Sequence, residues 1–333
     1  MDGPQVRDMG ALQAINPRPH KRCVLTRPPS APLPLDRGRR IRDRRAMNPA
    51  DALKGLGGVA EVRTLRNAGV GKVATAQAVS AGTIERVRRG CYALPDADPA
   101  AVAALAWHGV PTCVTALEQL GLPVPASYGI HLAFPATRSF SGRNSRPPST
   151  VLPHYFDRPL PWGTAAVIDV ASRCLNEEDH LIAVDAALHG GTLSRGEIEQ
   201  FVRCSAKRKR FLLKYCDGRA ESPPETLARL ALMRSGIWPD CQVWIPGIGR
   251  VDMLIDGGLI VEIDGEQYHI GERAFKDDRR RDRAAQLADL MVLRYPGSIA
   301  RFNAPLIVAE VKSALSNGPF AARTASPQVK VKR

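Results

Sequence analysis

Between Gly249 and Asp264 the chain reads GRVDMLIDGGLIVEID. Two apolar runs, 251–255 and 259–263, flank Asp256-Gly257-Gly258, a turn signal of the kind that closes an antiparallel hairpin. Acids interrupt both: Asp252 in the first, Glu262 and then Asp264 in the second. Side chains alternate along a strand, so Ile260, Glu262 and Asp264 share one face, with neighbouring carboxylates ~7 Å apart. A hairpin closed through 256–258 brings Asp252 beside Glu262. Like charges on an apolar sheet repel unless something neutralises them, and a divalent cation does so with hard oxygen ligands. Mg2+ is the usual ion where phosphates are the substrate. Asp252 and Glu262 are therefore the expected metal ligands.

Working outward, Ser222-Pro223-Pro224-Glu225 opens a helix, with Ser222 as N-cap and prolines in the first turn. Glu225 reads either as a capping-box glutamate bonded back to Ser222 or as a further acid of the site. CQVWIPG forms a strand before the hairpin. Residues 274–287 form a charged helix, and MVLRY a last strand. The predicted order is helix, three antiparallel strands, helix, strand: an α/β domain with a small mixed sheet. Asp264-Gly265 also reads as a plain turn, and the run Asp278–Asp282 as a solvated helix face.

Residues 221–296 resemble the uncharacterised bacterial family related to very-short-patch-repair endonucleases, within the restriction-endonuclease-like D…(D/E)-x-K superfamily. The match is carried by Glu225 in SPPE, Asp252 in GRVDMLI, VEIDGEQYH (Glu262, Asp264, Gly265, His269), and DDRRRDRAAQLADLMVLRY (Asp278, Arg281, Asp282, Arg294). The resemblance implies metal-assisted phosphodiester hydrolysis. Asp252 and Glu262, with the Ile263 carbonyl, would hold Mg2+, and Glu225 would add a further contact. The superfamily lysine falls at Asp264, which leaves His269, Gln267 or Lys276 to orient or deprotonate water. Arg279 or Arg281 would contact the flanking phosphate. Asp289 stands where the family usually has glycine.

Nearer the amino end, residues 61–68 and 72–81 read as helices around Gly69-Val70-Gly71. Residues 83–88 and 91–94 read as a hairpin turned at Arg89-Gly90. This order is that of a winged helix-turn-helix. Residues 55–200, through VRRGCYALP, LPWGTAAVIDVASRCL and LIAVDAALHGGTLS, resemble the AbiEi-family antitoxins of type IV toxin–antitoxin systems. That resemblance implies a DNA-binding winged helix followed by a family-specific middle region. The reading helix, KVATAQAVSAG, offers only Lys72, Thr75, Gln77 and Ser80 as polar groups, short of the usual Arg and Asn/Gln forks. Lys72 and Gln77 are the expected contacts there, with Arg86, Arg88 and Arg89 of the wing gripping phosphates.

The predicted organisation is a basic leader (1–46), the winged helix (47–98), a mostly helical middle region (99–218), the endonuclease-like domain (219–315) and a tail (316–333). In the middle region, 100–122, 176–188 and 194–215 read as helices, the last opened by Ser194 and Glu197 and carrying Lys207-Arg208-Lys209-Arg210. The 333 residues carry 47 Lys+Arg against 33 Asp+Glu, a net +14, which suits a polyanion partner: DNA, with RNA as the alternative. The leader alone carries eleven Lys/Arg, four Asp and seven prolines, half of the net charge. It reads as a disordered arm, or as sequence upstream of a start at Met47. No stretch approaches the ~20 apolar residues of a membrane span, and the expected location is the cytoplasm. The seven cysteines form no C-x-x-C pair and are expected to be small buried apolar residues rather than zinc ligands. The competing class is a non-catalytic DNA-binding regulator that keeps a nuclease fold as scaffold.

Overall fold

The computed structural model describes residues 47–124, 128–140, 146–157, 163–264 and 272–317, with the backbone alone over 272–278. The leader, the tail beyond 317, and Gln267 and His269 lie outside the described residues. Among the described residues the architecture is mixed α/β, with helices and three small sheets.

Six elements come first: α1 (Pro49–Gly55), β1 (Val59–Glu61), α2 (Val62–Asn67), α3 (Lys72–Ser80), β2 (Glu85–Arg88) and β3 (Cys91–Ala93). The strands form an antiparallel sheet in the order β1-β3-β2, beside a core of Leu53, Leu65, Val70 and Ile84. Asn48 caps α1 through Ala50 N–H (2.8 Å). The two helices and the hairpin fall within two residues of where their sequence puts them.

The next segment departs from expectation. Instead of one helical stretch over 100–122, α4 (Pro99–Trp107) and α5 (Cys113–Gln119) flank a two-residue strand, β4 (Val110–Pro111). His108 ends α4 in the left-handed region (φ 51°). Gly109 then packs so close to Phe134 that a Cβ would sit 2.8 Å from its ring. Strand β5 (Ile130–Pro135) pairs antiparallel with β4 and parallel with β6 (Val151–Phe156), inside the 123–161 stretch whose Pro, Gly and Ser punctuation reads as loop and strand within the otherwise helical middle region.

Helices α6 (Thr164–Ala171), α7 (Glu177–His189), α8 (Arg195–Glu199) and α9 (Ala206–Tyr215) follow. The Ser194–Glu197 capping box forms as its sequence predicts. The helix expected over 194–215 is nonetheless two. The break has a cause: the buried Asp169 carboxylate of α6 accepts the N–H groups of Val202 (2.9 Å), Arg203 (2.9 Å) and Cys204 (2.7 Å). Those donors are lost to an α-helix, and Ser205 starts a new one.

The last region runs α10 (Pro223–Arg234), β7 (Asp240–Ile245), β8 (Gly249–Ile255), β9 (Leu259–Asp264), α11 (Glu272–Leu287), β10 (Met291–Pro296), α12 (Gly297–Phe302) and α13 (Ala304–Asn317). The sheet order is β10-β9-β8-β7, antiparallel except for the parallel β9/β10 pair, which is the mixed sheet expected. Asp256 (φ 48°) and Gly257 (φ 67°) make the β8–β9 turn, both in the left-handed region that a type I′ turn requires. One face packs Met253, Val261 and Ile263 against Ala228 and Leu232 of α10 and Ile307 and Val311 of α13. The other packs Val251 and Ile260 against Ala285 of α11. Asp289 takes the left-handed position (φ 53°) just past α11, the conformation that favours glycine at a helix end. Among the described residues, no helix is long and apolar enough to cross a membrane.

Candidate functional site

The site grows from an interruption in the sheet. In β7, Cys241 packs on the α10 face and Val243 on the α11 face, although two-residue spacing should put both on one side. In β8, Met253 and Val251 divide in the same way. Both strands switch faces at one point, at Gln242, whose backbone is left-handed (φ 53°), and at the facing Asp252.

The Asp252 carboxylate caps the neighbouring strand: Oδ2 accepts the Ile263 N–H at 2.8 Å. Oδ1 lies 3.4 Å from the Gln242 amide nitrogen, which also donates to Glu225 Oε2 at 3.0 Å. Glu225 sits at the start of α10, bonded back to Ser222, and also lies beside Asp252. It accepts from the Ser222 hydroxyl (2.8 Å) and the Glu221 N–H (3.0 Å) at the start of α10, and it joins Asp252 through Gln242. Burial pushes the Asp252 carboxyl up to about 6; the Ile263 and Gln242 donors oppose the shift, and the negative charges of Glu225 and Glu262 add to it.

Glu262 faces different company. It is 8% exposed, and its two oxygens accept from Arg281 of α11 at 2.6 Å and from Arg294 of β10 at 2.7 Å. Arg294 reaches Asp282 as well (2.7 Å), while Arg281 also donates to the carbonyls of Ile248 and Arg250. The expected meeting of Asp252 and Glu262 over one ion therefore differs from the arrangement found. The face switch turns Asp252 toward Gln242 and Glu225, and two guanidiniums neutralise Glu262. Asp264 ends β9, half-buried, opposite Pro296. Arg279 is exposed on α11.

As hard oxygen donors, Asp252 and Glu225 suit a divalent cation, and the bridging amide marks where positive charge is wanted. Glu262 could join them only by releasing its arginines. These acids do not form a group of three ligand atoms within 4.8 Å; the one such group among the described residues is Cys113, His131, His154 and Cys174.

In the amino-terminal module, Lys72 and Gln77 are exposed on α3, as are Arg86 and Arg89 on and beside the hairpin. Arg88 is not available in the same way. Its guanidinium lies 4.2 Å from the Trp107 ring centre and donates to the Ala106 carbonyl, so it fastens the hairpin to α4. Thr75 turns inward and bonds the Gly71 carbonyl. A cleft of about 400 Å³ lies between α2, α3 and the hairpin, bordered by Arg66, Lys72 and Arg86. Gln242 carried no signal in the sequence, because a lone amide opposite an acid is invisible until the strands are paired.

No family model matches the chain. Two curated proteins of Mycobacterium tuberculosis are similar to it, "Uncharacterized protein MT2308" and "Uncharacterized protein Rv2248", from different strains. Each is 29% identical over 227 residues, covering 61% of this chain and 82% of the relative.

Proposed function

We propose that this protein binds DNA and hydrolyses its phosphodiester backbone with the help of a divalent cation. In this reading α1–α3 and β1–β3 act as a winged helix holding the duplex, and 219–315 as an endonuclease-like domain. One observation carries it: three carboxylates, Glu225, Asp252 and Glu262, gather at one end of the β8–β9 pairing beside two arginines. Acids of this kind hold a cation and arginines of this kind hold a phosphate. The arginines hold Glu262, while Asp252 and Glu225 are held by the Gln242 amide, backbone N–H groups and the Ser222 hydroxyl.

Asp252 and Glu225 would hold Mg2+, which supplies a water of lowered pKa and neutralises charge on the phosphate. The chain's own work is positional. The Ile263 N–H fixes Asp252, the helix cap fixes Glu225, and Arg281 and Arg294 offer planar donors to the phosphate oxygens. A second reading, a DNA-binding regulator with a nuclease-like scaffold, is favoured by the double arginine clasp on Glu262 and by Val73, 70% exposed on the helix that would read bases.

Nicking of supercoiled plasmid by the full chain decides between them. Mg2+-dependent nicking that chelator abolishes and Asp252→Asn lowers at least ~100-fold, more than the 10–100-fold typical of outer ligands, is the expected result. No nicking at any Mg2+ concentration, with duplex binding intact, favours the regulator. Parallel structured RNA identifies the sugar.

A further inference from the structure

The strongest feature outside the acidic cluster lies in the middle region. Cys113 starts α5, His131 sits in β5, His154 in β6, and Cys174 in the turn after α6, yet one ligand atom from each lies within 4.8 Å of all the others. Cys113 and His131 are almost fully buried. The β5/β6 register explains how the histidines meet. Ala133 pairs with His154, and His131, two residues back, shares its face.

The tautomer points inward. His131 Nε2 lies 2.7 Å from the Tyr128 carbonyl, an acceptor only, so Nε2 carries the hydrogen and Nδ1 presents its lone pair to the cluster. A carbonyl behind a histidine in this way is how metal-bound imidazoles are held. The His131 backbone is fixed as well: its N–H donates to the Thr115 hydroxyl at 2.7 Å, and its carbonyl accepts the Thr112 N–H at 3.0 Å.

Distances choose the occupant. A tetrahedron with Zn–S of about 2.3 Å and Zn–N of about 2.0 Å has edges of about 3.3–3.8 Å. His154 Nε2 stands 3.7 Å from Cys174 Sγ and 2.9 Å from His131 Nδ1, so small side-chain shifts close the shell. Two thiolates and two imidazoles are soft and borderline donors. They select zinc over magnesium, and four protein ligands leave no open position for substrate.

We propose that Cys113, His131, His154 and Cys174 bind one structural zinc ion that ties α5, the β5/β6 pair and the α6–α7 turn together. Cys91, Cys113, Cys204 and Cys241 are buried, as expected of them, and Cys174 and Cys216 are partly so; in this proposal Cys113 and Cys174 serve in addition as ligands.

The test is metal analysis of the full chain purified under reducing conditions, by native mass spectrometry and elemental analysis. One zinc per chain is expected, lost in His154→Ala and Cys174→Ser and retained in Cys241→Ser. Should the ligand variants fail to fold, cobalt substitution of the unmutated protein keeps the question open to measurement: tetrahedral thiolate–cobalt absorption is expected. Protein that takes up neither zinc nor cobalt, or whose Cys113 and Cys174 are found joined as a disulfide, overturns the site.

Discussion

Asp169→Ala is expected to cost about 3–5 kcal/mol of folding free energy, since three backbone donors lose a charged acceptor worth about 1.5–3 kcal/mol each and water at the exposed Val202 and Arg203 positions replaces part of that loss. Asp169 is 5% exposed, and the N–H groups it holds, on Val202, Arg203 and Cys204, precede α9. No neighbouring side chain replaces a carboxylate with two oxygens set between three amides. Asp169→Asn, nearly isosteric, keeps one acceptor oxygen and should recover part of the loss. Urea unfolding followed by circular dichroism measures both. An alanine variant within about 0.5 kcal/mol of the unmutated protein, the usual range for surface substitutions, would show that the 200–205 break does not depend on this carboxylate.

Arg229→Ala is expected to be equally costly, about 3–5 kcal/mol, the usual result of breaking a buried ion pair from one side. Arg229 of α10 is 2% exposed and lies 2.5 Å from Asp185 of α7, which is 1% exposed. Asp185 also accepts from Thr226 and from the Asp217 N–H, each at 2.9 Å, so this acid fastens the middle helices to the sheet region. Burial pushes its carboxyl up to about 6 even with Arg229 beside it. A raised carboxyl contributes stability that is complete below its unfolded value near 4 and is lost as pH rises through 6. The penalty of Arg229→Ala should thus be larger at pH 8 than at pH 5, where Asp185 can take a proton. Unfolding curves at both values check the sign. A penalty that grows on acidification would contradict it. Asp185→Leu with Arg229→Met removes both charges and should recover most of the loss.

Much of the carboxy-terminal fold was legible because its signals agree: period-two apolar runs, an Asp-Gly-Gly turn, a capped helix and a charged helix before a last strand. The capping box at Ser194 and the helix-helix-hairpin order at the amino end were legible for the same local reasons. What escaped is non-local. A helical pattern over 194–215 cannot reveal that Asp169, far back in the sequence, draws off three amides. Strict alternation put Asp252 beside Glu262 because nothing in the string announces a left-handed backbone at Gln242. The two carboxylates stand out in the sequence as acids within apolar strands, yet the arginines that hold Glu262 and the amide that bridges Asp252 to Glu225 depend on strand pairing. The Cys/His quartet is invisible to motif spacing because its ligands are about twenty residues apart along the chain.

The claim that most needs testing is that the acids around Asp252 hold a cation. Mn2+ titration followed by electron paramagnetic resonance, on the full chain with a short duplex present, reads this without requiring turnover. Bound Mn2+ in the unmutated protein that Asp252→Asn removes is the expected result. Equal occupancy in both proteins, or none in either, would contradict a cation at this centre.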